Sequence, residues 1–241
     1  MDIVVGMRDA VAGRRAAWEF VRGYARVWCA TPLADGDGCG PEEIAAAEER
    51  LGLRLPAALK EAYALLGRRP DLTSNHDSLR PPAGLEVDAS GEALVFRDEN
   101  QGVCVWGIPL AEIGRDDPPV VVRLDLADKA SECWEPWLDR VSHCFVEIVL
   151  AESAHEPEEL AEYLDEVDPE TVQGAPGFVR LPFPEYPIGQ TPGTRWYASP
   201  DALLRYDEGM VTVRGRTEEA LERALDGLIG PDEDKDEDEE R

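Results

Sequence analysis

Residues Leu94–Pro109 read LVFRDENQGVCVWGIP. Two apolar runs rich in Val, Phe and Trp flank the polar RDENQG. Strand-like runs joined by turn residues are the signature of a β-hairpin. The insert is either a plain turn or a turn that presents a site. Asp98 and Glu99 stand side by side in it. In a strand consecutive side chains point to opposite faces, so the two converge on one substrate only if they lie in the turn itself. That disfavours paired-carboxylate catalysis. Trp106, at the end of the second run, is expected to be partly exposed.

Working outward, LEV (85–87), ALVF (93–96), VCVWGI (103–108) and PVVVRL (119–124) are separated by turn residues, as in an antiparallel meander. Upstream the period is helical. Met7 to Cys29 carries Trp18, Val21, Ala25 and Trp28 on one stripe and Arg14, Arg15, Arg22 and Arg26 on the other face. Pro41 opens a second helix with Glu42 and Glu43 in its first turn, and Gly52 ends it. A third helix starts at Pro56, buries Leu59, Ala62 or Tyr63, and Leu66, and closes at Gly67. Residues 68–83 read as a proline-flanked loop.

Downstream of Trp137 the spacing of Val141, Cys144 or Phe145, Ile148 and Ala151 or Glu152 predicts a helix under the sheet. EPEELAEYLDEV (156–167) reads as a further acidic helix. Residues 173–200 form a proline- and glycine-rich crossing, aromatic enough to pack on the body. ALLRYDEGMVTVR (202–214) is a hairpin with Gly209 supplying a positive φ. Thr217 caps a closing helix that buries Leu221, Leu225 and Leu228 and stops at Gly230-Pro231. Runs of helices followed by runs of strands give an α+β fold, a largely antiparallel sheet flanked by helices with a C-terminal hairpin-plus-helix extension. The expected organisation is a domain over 1–155, an extension packed on it over 156–230, and a disordered acidic tail over 231–241.

The 241 residues, 43% of them hydrophobic, suffice to bury a substantial core. Asp and Glu number 51 against 24 Lys and Arg, a net charge of −27. DEDKDEDEER (232–241) has eight acids and two bases, so −21 of that total lies on the rest of the chain. Such a field repels nucleic acid and anionic membranes; it suits a basic protein partner or serves solubility. Five cysteines without a CxxC pair give no zinc spacing, and Cys104 and Cys144 read as core residues. No leader or membrane-spanning run is expected, which places the chain in the cytoplasm.

GxGxxG, GxxxxGK(S/T), GxSxG and HExxH are absent. DGDG (35–38) lacks the bidentate Glu of a calcium loop, since its twelfth position is Ala46, and is read as a turn. Of three histidines, His143 and Glu147 are expected to form a helical surface pair. His76 beside Asp77 suggests an acid/base dyad, with no serine or cysteine nucleophile tied to it. No metal or cofactor is expected.

EEIAAAEERLGLRLPAALKEAYALLG (42–67) is an acidic helix ending in L-G, an extended L-x-L-P, and an aromatic-containing helix closing in L-G. With LVFRDENQGVCVWGIP downstream, this order resembles the SUKH superfamily, which includes a yeast cell-wall-synthesis regulator and many bacterial toxin-immunity proteins. The match spans roughly 41–152. The resemblance implies an α+β domain that works by binding and has no catalytic residue, neutralising a cognate toxin, often a nuclease. It places Asp98, Glu99, Asn100, Gln101 and Trp106 near the partner-facing side; the competing reading makes Asn100 and Gly102 turn residues and Trp106 core. A housekeeping scaffold with an unrelated partner is the first alternative. A hydrolase built on His76, Asp77, Asp98 and Glu99 is the second, and it requires those four groups to lie together.

Overall fold

A computed structural model describes residues 1–186 and 193–229. The fold is α+β, with eight α-helices and two antiparallel sheets among the described residues.

Asp2 caps α1 (Ile3–Ala12) by accepting from Val4 N and Val5 N, which satisfies two of the amides that a helix start leaves without partners. The helix expected over 7–29 is therefore two. Gly13, fully extended at φ 179°, ends α1 and starts α2 (Arg14–Trp28), and the break lets α1 pack back against α2. α3 (Pro41–Leu51) ends at Gly52 in the left-handed region (φ 67°), and α4 (Ala57–Leu66) follows Pro56. The 68–83 stretch is more ordered than a loop. It contains the short α5 (Pro70–Thr73) and β1 (Ser78–Leu79).

The first sheet comprises β1, β2 (Glu86–Val87), β3 (Ala93–Asp98), β4 (Cys104–Pro109), β5 (Val120–Leu124) and β6 (Glu135–Leu138). Its order is β1-β3-β4-β5-β6, with β2 also on β3, so β2 to β5 form the expected meander, and β6, which was not expected, extends it. Beneath it runs α6 (Val141–Ala154), every residue of which is buried. Helices α2, α4 and α5 also pack against α6. That enclosure explains why His143 and Glu147 are buried and not the surface pair the sequence suggested. Cys104 and Cys144 lie in the core as expected, and burial pushes the Cys104 thiol up to about 12.

The second sheet has the order β7-β11-β10-β9-β8. Its strands are β7 (Ala161–Leu164), β8 (Val179–Arg180), β9 (Arg195–Ala198), β10 (Ala202–Asp207) and β11 (Met210–Gly215). The acidic helix expected over 156–167 is overturned: Leu164 to Ala161 pair with Val211 to Arg214. Pairing with a neighbouring strand outweighs the helix propensity of Glu, Leu and Ala, which is only tenths of a kcal/mol per residue. A short α7 (Pro169–Gly174) follows β7. The β10–β11 hairpin turns through Glu208 (φ 53°) and Gly209 (φ 91°) as expected.

Adjacent residues of the second sheet face two cores. Trp196 and Leu203 join the core around α6, while their neighbours Tyr197 and Leu204 join a second cluster with Leu221 and Leu228. Leu221 and Leu228 belong to α8 (Glu218–Ile229), begun by Thr217, whose hydroxyl accepts from Ala220 N. Leu225 packs there only half-buried. The crossing packs on the body through Leu181, Phe183 and Tyr186. The expected stop at Gly230-Pro231 and the acidic tail lie outside the described residues. No described helix is long and apolar enough to cross a membrane.

Candidate functional site

Arg97 is the centre of the site. The β3–β4 register slips between Val95 and Arg97, a bulge that breaks strict alternation. Phe96 thereby stacks on Phe145 of α6 at 6.1 Å, and the next residue, Arg97, also reaches α6. Its side chain is 2% exposed. One guanidinium nitrogen lies 2.9 Å from Glu147; the other lies 2.7 Å from Glu152 and 3.1 Å from Asp77. The guanidinium carbon sits 4.6 Å from the centre of the Trp106 ring, directly across the ladder.

One cation therefore faces three buried carboxylates. Burial works against the Arg97 charge, but the three acids outweigh it and hold Arg97 firmly protonated. The acids are less well compensated. Desolvation raises Asp77 and Glu147 above the usual carboxylate range despite Arg97. Glu147 also accepts from Tyr186, whose hydroxyl takes the Trp196 indole N–H at 2.9 Å, and so the second sheet is tied into the cluster.

Glu152 organises the loop above. It accepts from His76 N at 2.6 Å and Asp77 N at 3.2 Å. Asp77 in turn accepts from Asn100 N, which fastens the loop to the β3–β4 turn. His76 stacks face to face on His155, centroids 4.5 Å apart, and the Tyr163 hydroxyl lies 2.7 Å from His155 Nδ1. Burial, followed by the His76 charge, lowers His155 to about 4. A cleft of about 200 Å³ opens beside this stack, reaching Arg205 and Met210.

The sequence-selected residues part company here. Asp98 is held by Arg80 through two contacts of 2.6 Å. Glu99 turns back to accept from Gln101 N and Val103 N. Asn100 and Gln101 are exposed at the tip with Val103, which is 52% exposed. Trp106 is a correction: it is 4% exposed, not partly exposed, because Arg97 and Trp137 close over it, the latter at 5.6 Å. Asp98 and Glu99 do not converge. Of the four hydrolase groups, His76, Asp77 and Glu99 bring ligand atoms within 4.8 Å of one another, while Asp98 is engaged elsewhere.

No protein-family model, curated protein or solved structure matches the chain.

Sequence reading missed Arg97, Glu147 and Glu152 as one unit. The signal that could have found them was two acids in the mostly apolar run VSHCFVEIVLAESA, which, if the helix is buried, demand a cation from elsewhere in the chain.

Proposed function

We propose that this chain is a non-catalytic protein-binding domain of the SUKH type, an immunity protein that neutralises a cognate basic toxin. The observation carrying the reading is the β3–β4 tip, where Asn100, Gln101 and Val103 stand exposed together on a braced turn. Glu99 holds the turn from within, Asp77 anchors Asn100 N, and Arg80 fixes Asp98. A surface ordered before contact loses little conformational entropy on binding. Exposed amides beside one exposed aliphatic group suit a protein interface, where polar and apolar contacts mix. Trp106 lies in the core under Arg97 and Trp137, which leaves the exposed tip residues as the contact surface of this reading.

The charge of −27 supplies the other half of the reading. A toxin that grips phosphates presents cations, and an acidic body steers toward them, raising association rates by about 10 to 1,000-fold.

Co-expression with the toxin encoded beside its gene tests the function. The chain is expected to restore growth, and Asn100→Arg with Gln101→Arg to abolish the rescue while leaving the fold intact. Binding of no neighbouring product would overturn the immunity reading.

A further inference from the structure

We infer that His76, Asp77 and Glu99 bind one divalent transition-metal ion, clamping the 74–77 loop to the β3–β4 tip. Their donor atoms, one imidazole nitrogen and two carboxylate oxygens, already lie within 4.8 Å of one another. Ligands at about 2.0–2.2 Å from a common ion are about 3–4 Å apart, so shifts of about 1 Å complete the set. An imidazole with two carboxylates selects a zinc- or manganese-class ion over calcium or magnesium, which take oxygen ligands alone.

Three further observations point to an ion there. The ligands are held from behind: Glu152 takes the His76 and Asp77 amides, Asn100 N donates to Asp77, and the tip amides donate to Glu99 Oε2, leaving Oε1 without a hydrogen bond among the described residues. Such outer contacts orient metal ligands. The electrostatics also call for a cation. Asp77, Glu147 and Glu152 line one cavity with Arg97 and Arg205, one more acid than bases, where burial weakens the screening of the surplus, and Glu99 adds its carboxylate beside Asp77.

His76 and Asp77 line a cavity of about 30 Å³, enough for one or two waters. Arg97 Nε, Trp106 Nε1 and Trp137 Nε1 belong to residues lining the same cavity, and these buried donors have no acceptor among the described residues. Buried donors demand an oxygen-bearing occupant. Water on an ion at His76 and Asp77 supplies it. The cleft beside His155 leaves the remaining coordination positions reachable from solvent.

The inference stands whether or not a toxin partner exists. Its test is calorimetric titration of the full, chelator-treated chain with Zn²⁺, repeated with Mn²⁺. One equivalent is expected to bind saturably, and the melting temperature to rise by roughly 5–10 °C at 100 times Kd. His76→Ala and Glu99→Gln are expected to weaken that equivalent beyond the about 10–100-fold that loss of a supporting residue causes. His76 is exposed, and the Glu99→Gln side chain keeps an acceptor for the tip amides, so both variants should still fold, and each is compared with its own metal-free melt. Absence of saturable binding of either ion overturns the inference. So does binding of equal strength in both variants, which would locate the ion elsewhere on this acidic chain.

Discussion

Replacing Arg97 with methionine removes the guanidinium that lies over the Trp106 ring and keeps an unbranched side chain in its place. Glu147 at 2.9 Å, Glu152 at 2.7 Å and Asp77 at 3.1 Å then lose their counter-charge in a place where Arg97 itself is 2% exposed. Breaking a buried pair by deleting one partner costs about 3–5 kcal/mol. Domains are stable by only about 5–15 kcal/mol, so this is a large fraction of the total. At about 2–4 °C per kcal/mol for a chain of this size, the melting temperature should fall by about 6–20 °C. The deficit should also depend on pH with a definite sign. Asp77 and Glu147 have folded-state pKa values raised by burial. Acids of that kind add stability in full below their unfolded pKa, about 3.9 and 4.3, and lose it as pH climbs through the raised folded value. Without Arg97 both values rise further. The gap between variant and parent should therefore be widest near pH 8 and narrow toward pH 5. Paired melts read by circular dichroism at both pH values measure it. A loss under about 1 kcal/mol, or a gap indifferent to pH, would show that the carboxylates are solvated and the cluster is not a buried ion centre.

Two further outcomes follow from other parts of the fold. His155 should titrate near its value of about 4 in a proton NMR pH series, neutral through the physiological range; a midpoint at the free-histidine value of about 6.5 would contradict the half-buried place His155 takes beneath His76. Gly38→Ala should destabilise by about 1–3 kcal/mol, because the added Cβ would lie 1.8 Å from the Ala64 carbonyl oxygen, and unchanged denaturant midpoints would show that the 35–38 turn is not pressed against α4.

Much of the scaffold was legible because its punctuation is local. Pro41 and Gly52 bracket α3, Pro56 and Gly67 bracket α4, and Gly209 marks the last hairpin. The turn-separated apolar runs gave the meander. What failed was decided over long range. AEYL carries helix formers but became β7 because β11 offers its edge. The apolar stripe continues across Gly13 and hides the turn the chain makes there. The site was half legible: Asp98 to Gln101 stand out as a turn, and His76-Asp77 as a pair, but nothing in either segment indicates that Asn100 N donates to Asp77, or that Glu152, some 75 residues beyond His76, holds the His76 and Asp77 amides. Arg97 looks, in sequence, like the first polar residue of the insert. It is buried because its partners come from α6, and the bulge that turns it inward leaves no mark on the residue pattern.

Capture of a basic protein by the β3–β4 tip of an acidic body is the central claim, and the association rate of the chain with its neighbouring gene product measures it most directly. Stopped-flow mixing from about 0.02 to 0.5 M salt spans Debye lengths from about 20 Å to under 5 Å. The rate should fall by at least about tenfold over that range, and the complex should dissociate faster when Asn100 and Gln101 are replaced by arginine. A rate independent of salt, with dissociation untouched by the tip substitutions, would contradict it.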